Sequence, residues 1–346
     1  MKERKRHNFS LSSLFFAAAF SVSIGAAHDA EAAFKRPNIG ESTPQSMLVF
    51  DAKTDLVYYA HDAQKPWVTA SLNKAMALHL FFEHIKAEGA DPHKATLTIS
   101  PQAFRYLRGY SASTLDVVSG ETISYDLAAR SIIAKSAGDV SYAIAEHVSG
   151  SHKDFVALMN KTAQDWGMVN THFTDASGFS KRPRRGAARA YSKSTSCDMA
   201  IMMKNIIAHN PTLYKEYFGA TSYTHNGKTK SPSRLFTKHY EHAEGQKSGY
   251  LNVSRNNLIA SATMDGTRMI GVTLGTYWRP DSNSAMAEGF ENAFTQKAMI
   301  QAAQSAALAA ANTHVLHNDI HVTFDSIATT LHANSPYPAL QQVCKI

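Results

Sequence analysis

Cysteine is nearly absent: the 346 residues hold only Cys197 and Cys344. That excludes a fold built on a disulfide framework, and it leaves open one bridge or two free thiols, because sequence does not show whether two thiols approach each other. Charged residues make up 18% of the chain against 44% hydrophobic, which excludes an intrinsically disordered protein. Beyond the N-terminus no run is apolar enough to cross a membrane. There is no His-Glu-x-x-His pair, no phosphate-binding glycine loop and no internal repeat. His239 and His242, flanking Tyr240-Glu241, come nearest to a metal pair, but scattered histidines (17 here) usually sit at the surface or in the core. The formal charge of +7 is not clustered on one predicted face, so nucleic acid is not an expected partner. A mildly basic surface suits an anionic setting such as a cell envelope.

The N-terminus is the most readable compositional feature. Lys2-Glu3-Arg4-Lys5-Arg6 is a basic start, Leu11 to Ala27 is uncharged and apolar, and Ala30-Glu31-Ala32 fits a small-x-small cleavage site before Ala33. Residues 1–32 therefore read as a secretory signal peptide, with an uncleaved anchor as the alternative. The expected location is outside the cytoplasm, in the periplasm or cell envelope.

Residues 34–45, with Pro37, Gly40 and Pro44, read as an exposed lead-in. Ser46–Phe50 and Leu56–Ala60, around Asp51-Ala52-Lys53-Thr54-Asp55, predict a β-hairpin. A helix is expected to start near Ser71 and run to about Ala87, with Gly89 as its stop. Ser124 to Val148 is helical by period but broken at Lys135–Asp139, and Phe155–Trp166 and Thr195–Ile207 predict two more helices. From Gly245 the period changes to two. Leu258–Ala262 and Met269–Leu274 bracket Asp265-Gly266, a second hairpin, before an Ala-rich helix from about Ser284 to Ala311. Ile320–Phe324 is a weak strand candidate. The order predicts an α+β (mixed α/β) fold: one antiparallel sheet flanked by helices, with an all-helical block over about residues 90–210 inserted between its parts.

Three short segments carry the chemistry. In Ser71-Leu72-Asn73-Lys74 the serine and lysine lie three residues apart, on one face of a helical first turn. A serine hydroxyl needs a base beside it, and a lysine serves only when burial or a neighbouring cation removes its proton. The helix N-terminus adds free N–H groups for an oxyanion. Alone, such a pair is usually an N-cap serine followed by a surface lysine. The second segment, Ser136-Ala137-Gly138, falls at the helix break, where Ser136 could be a cap. The third, Lys247-Ser248-Gly249, opens a strand.

In order and type these match the Ser-x-x-Lys, Ser-x-Asn and Lys-Thr/Ser-Gly set of the penicillin-recognising serine acyl-enzymes. The chain resembles the D-alanyl-D-alanine carboxypeptidases of the low-molecular-mass penicillin-binding proteins, peptidase family S11. The resemblance is carried by Val49–Thr54 ahead of Thr69–Lys74, by Ala143–Ser151, Phe155–Asn160 and Gly167–Phe173, and by Ala176-Ser177-Gly178 and Asp198-Met199-Ala200. It covers roughly residues 45–277.

The resemblance implies a β-lactamase/transpeptidase-like fold and assigns roles. Ser71 attacks the carbonyl between two D-alanines of a peptidoglycan stem peptide, Lys74 takes its proton, and Ser136 relays it to the departing amine. Lys247 and the Ser248 hydroxyl hold the terminal carboxylate, with Gly249 completing the motif, and Lys247 helps to lower the pKa of Lys74. The N–H groups of Ser71 and Tyr250 form the oxyanion hole. No metal or cofactor is implied, and β-lactam antibiotics are expected covalent inhibitors. Residues 33–311 are then the catalytic domain and 312–346 a short tail. Alternatives on the same scaffold are a D,D-endopeptidase or a weakly active or non-catalytic peptidoglycan- and penicillin-binding protein. A β-lactamase is the weaker reading, because no deacylating glutamate segment can be placed.

Three departures stand out. Gly138 replaces the usual Asn, and the lost polar contact is worth on the order of 1–3 kcal/mol. By this reasoning Gly138→Asn should speed acylation. Lys-Ser-Gly replaces Lys-Thr-Gly but keeps a hydroxyl. The basic run Lys181–Arg185 reads as a solvated loop.

Overall fold

The computed structural model describes residues 43–180, 188–315 and 337–345, with side chains of 307–315 left aside. The expected signal peptide over residues 1–32, most of the lead-in, the 181–185 basic run and the 320–324 strand candidate lie outside these residues. Contacts divide the chain into two compact units. Ile39–Ala293 with Ala339–Ile346 form one, which holds the sheet and every candidate site residue. The other, Met1–Asn38 with Phe294–Pro338, is represented chiefly by the later turns of one long helix.

The sheet has five strands, all antiparallel. β1 (Ser46–Asp51) and β2 (Val57–His61) come from the first hairpin. β3 (Ala243–Leu251), β4 (Arg255–Met264) and β5 (Thr267–Thr276) come from the end of the chain. Their order is β2-β1-β5-β4-β3, so the two hairpin systems join where β1 pairs with β5, Leu48 opposite Val272. All six residues of β1 are buried, as expected of a strand covered on both faces. The β4–β5 turn falls at Asp265-Gly266, both at positive φ, the geometry that a two-residue hairpin turn needs.

Between β2 and β3 lie five principal helices: α1 (Asn73–Glu88), α2 (Tyr125–Ala134), α3 (Gly138–Ser149), α4 (His152–Asp165) and α5 (Ser196–His209). α1 is buried around most of its circumference from Asn73 to Phe82, the mark of a central helix. It ends at Gly89, whose φ of 61° makes a left-handed cap. α2, α4 and α5 begin at Ser124, Ser151 and Thr195, whose hydroxyls accept N–H bonds from the first turn. α6 (Arg279–Val315) starts after β5, and its Met286 and Phe290 lie where a Cβ at Gly271 of the sheet would fall. The expected α+β architecture with helices inserted between the two parts of the sheet is therefore the one observed.

A last helix, α7 (Leu340–Cys344), packs on the sheet-bearing unit. Leu340 N–H donates to Asp55 O, and Cys344 is disulfide-bonded to Cys197 on α5, with Cα atoms 5.5 Å apart. The sequence left the two thiols open; the fold brings them together across 147 residues.

Candidate active site

Ser71 does not cap α1. Residues Ala70–Leu72 form a 3-10 turn ahead of the helix, and neither that turn nor α1 has a side-chain cap. Ala70 is held at φ 49°, in the left-handed region that residues with side chains rarely adopt. The turn is fastened from several sides. Asn73 donates to Asp175 O at 2.7 Å and to Ser192 Oγ at 2.8 Å, and accepts from Thr69 Oγ1 at 2.6 Å. Asn257 on β4 donates to Val68 O and Thr69 O at 2.9 and 3.2 Å. The Ser71 hydroxyl is left to Lys74, whose Nζ donates to it at 2.9 Å.

Lys74 is 2% exposed, and its second contact is the Ser177 carbonyl at 2.7 Å. Burial lowers its pKa to about 8, against the opposing pull of Asp175 and Asp139. At pH 7 about one lysine in ten is then neutral, against roughly one in three thousand at the ordinary value. That difference is what makes this lysine usable as a base.

Ser136 sits at the break between α2 and α3 at φ 62°. It is not the cap of α3; Ala137 holds that position without a side-chain bond. Its Oγ accepts from Lys247 Nζ at 3.0 Å, and Lys247 also donates to Ser248 O at 2.7 Å. Lys247 is buried, and its pKa falls well below the ordinary value. Burial is the main cause, followed by the positive charges of Lys74, Arg279 and Arg234. Burial is thus the main cause at both lysines, and their like charges repel each other in addition.

The third motif reaches the first through its glycine. A Cβ on Gly249 would lie 2.9 Å from Thr69 O and 3.0 Å from Ser71 N, both backbone atoms that cannot give way. Only glycine lets edge strand β3 approach the Ser71 turn this closely. Ser71 N therefore lies close to β3, in which half-exposed Tyr250, the residue after Gly249, pairs with Asn256 of β4.

Several residues of the site carry no sequence signal of their role. Ser177 lies in the Ala-Ser-Gly stretch, yet what it offers Lys74 is a carbonyl, which every residue has. Its hydroxyl bonds Asp175 Oδ1 at 2.5 Å and Tyr106 Oη at 2.9 Å, and Tyr106 also bonds Asp175 Oδ2. Burial pushes the Asp175 carboxyl up, but bonds from His152, Ser177 and Tyr106 outweigh it and hold the group below its ordinary value. Asp139 accepts the Leu115 N–H on both carboxylate oxygens at 3.0 Å, and burial raises its pKa. His239 and His242, the sequence's weak metal pair, instead make separate contacts, with Ser233 O and Glu241.

A five-stranded antiparallel sheet with an inserted helical block, together with hydrogen-bonded Ser71–Lys74 and Ser136–Lys247 pairs at its edge strand, belongs to the β-lactamase/transpeptidase class of serine enzymes. The chain is a member of peptidase family S11, D-alanyl-D-alanine carboxypeptidase, whose family model matches residues 31–277. It is 31% identical over 297 residues to the D-alanyl-D-alanine carboxypeptidase DacA of Haemophilus influenzae, covering 84% of this chain and 71% of that protein. Across the first three curated relatives, the match spans 56–71% of their length. Penicillin binding protein 5 from Haemophilus influenzae superposes with a TM-score of 0.65 at 26% identity, covering 74% of this chain and 72% of the other. The fold is also shared with Penicillin-Binding Protein D2 from Listeria monocytogenes in a cefotaxime-bound form, with a TM-score of 0.63 at 23% identity and coverage of 75% and 99%.

Proposed function

We propose that this protein is a serine-type D-Ala-D-Ala carboxypeptidase that removes the terminal D-alanine from peptidoglycan stem peptides through an acyl-enzyme on Ser71. One observation carries the reading: a buried, pKa-lowered Lys74 donates to Ser71 Oγ at 2.9 Å, the contact a base must have with its nucleophile. Neutral Lys74 takes the Ser71 proton as Oγ bonds to the carbonyl carbon of the penultimate D-alanine. The oxyanion lies toward the N–H groups of Ser71 and Tyr250. When the C–N bond breaks, the leaving nitrogen takes a proton through Ser136, which is bonded to Lys247. Lys247 and the Ser248 hydroxyl hold the substrate's terminal carboxylate, and that anion restores the charge that burial discourages on Lys247. Water then cleaves the ester and restores Ser71.

β-Lactams acylate the same serine but leave no separate amine, so they remain bound. With residues 1–32 as a signal peptide, the enzyme works in the periplasm or cell envelope and acts in wall remodelling, with no nucleic acid and no metal in the reaction. No helix of the described residues is long and apolar enough to cross a membrane. Purified pentapeptide and cross-linked muropeptides test the reading. Release of free D-alanine from the pentapeptide supports it, and cleavage of cross-links alone replaces it with a D,D-endopeptidase.

A further inference from the structure

At the far end of α1, about 15 Å along the helix from Lys74, lies a second cluster that the acyl-enzyme chemistry does not use. His84 and Glu88 are one turn apart on α1, and His147 faces them from α3. One ligand atom from each lies within 4.8 Å of the others. His84 Nε2 is 3.2 Å from Glu88 Oε1, but not in hydrogen-bond geometry, so this buried nitrogen has no hydrogen-bond partner. The two imidazole rings meet edge to face at 5.0 Å. Tyr125 closes the back of the cluster, with its hydroxyl 2.6 Å from His147 Nε2 and 3.0 Å from Glu88 Oε2.

We propose that His84, Glu88 and His147 bind one divalent ion of the zinc class, which clasps the C-terminal end of α1 to α3. Two imidazoles and one carboxylate form a donor set that zinc accepts, with a fourth position left for water. In a tetrahedral site such donors lie roughly 3.4 Å apart, so closure asks for side-chain rotations of about an ångström. Glu88 is 42% exposed on its side chain, which gives the ion a path in. Tyr125 supplies the outer hydrogen bonds that hold metal ligands in place.

A comparison within the same molecule sharpens the choice. His93, Asp126 and Glu216 form a similar trio, but Arg130 already sits between its carboxylates, 2.8 Å from Asp126 and 3.0 Å from Glu216. That trio has its cation. Among the described residues, no lysine or arginine pairs with Glu88.

The proposal is independent of the Ser71 reading. The full chain, stripped with a chelator, is titrated with zinc alone in competition with a chromophoric chelator, beside the variants His84→Ala/His147→Ala, Glu88→Gln and His93→Ala. Melting without zinc first checks that each is folded. Expected is one zinc per chain at a Kd of about 10 µM or tighter, weakened a hundredfold or more in the double variant and about tenfold in Glu88→Gln. His93→Ala should bind as the wild type does, and zinc should raise the melting temperature of the wild type but not of the double variant. Weaker wild-type binding, unchanged affinity in the double variant, or loss of the site in His93→Ala would each overturn the proposal. Should the double variant not fold, Glu88→Gln decides alone, and affinity equal to wild type refutes the site.

Discussion

Filling position 138 with the asparagine that the motif usually carries should fail to improve this enzyme. From sequence alone the substitution promises a restored polar contact. In the fold, a Cβ on Gly138 would lie 2.3 Å from Leu107 Cδ1, where ordinary contact is 3.4–4 Å, and Leu107 is 4% exposed. Leu107 Cδ1, the far end of a buried side chain, must shift to make room, at an overpacking cost of up to about 1–3 kcal/mol. Ser113 O at 3.4 Å and Ser177 Cβ at 3.6 Å bound the remaining space. Gly138→Asn is therefore expected to lose stability by that amount in urea unfolding, and to acylate with a fluorescent penicillin no faster than wild type. Leu107→Ala alone should cost about 2–5 kcal/mol through its cavity. Combined, the two should be coupled by about 1 kcal/mol or more, because the asparagine fills the space the leucine leaves. Acylation by the double variant should exceed that of either single one. If Gly138→Asn is as stable as wild type and acylates faster, Leu107 does not guard the position and this reasoning is wrong.

Three further outcomes follow from the same geometry. With Lys74 acting as a neutral base, the second-order rate of penicillin acylation should rise with pH through an inflection near 8, because deprotonation supplies the active form. An inflection near 10 would mean that burial does not tune the lysine. Asp175 favours the charged form of Lys74, so Asp175→Asn should move that inflection downward; an upward shift would show that its bonds to Ser177 and Tyr106 matter more than its charge. Removing the Cys197–Cys344 bridge as Cys197→Ser/Cys344→Ser should lower unfolding stability by about 2–5 kcal/mol, while the acylation rate per folded molecule, measured by titrating active sites, stays close to wild type.

What was legible in the sequence was local. The Asp265-Gly266 turn, the helix break before Gly138 and the stop at Gly89 are each written in a few adjacent residues, and each is found where expected. Ser71, Lys74, Ser136 and Lys247 could be named because motif spacing is a short-range signal. What was not legible depends on residues far apart in the chain. The Ser177 carbonyl that holds Lys74 is a backbone atom 103 positions away. Leu107 meets Gly138 only through folding, which is why the sequence argument about that glycine could not include it. Cys197 and Cys344 looked as unrelated as any two thiols until α7 folded back onto α5. His239 and His242 are close in sequence and make separate contacts, whereas His84 and His147 are brought together by two helices.

The proposed reaction depends on Ser71 as the nucleophile. Incubating the full chain with penicillin and locating the adduct by mass spectrometry of its peptides tests it most directly. One penicilloyl group is expected, on Ser71, absent in Ser71→Ala and formed far more slowly in Lys74→Ala. An adduct on another residue, or none on a folded protein, would contradict it.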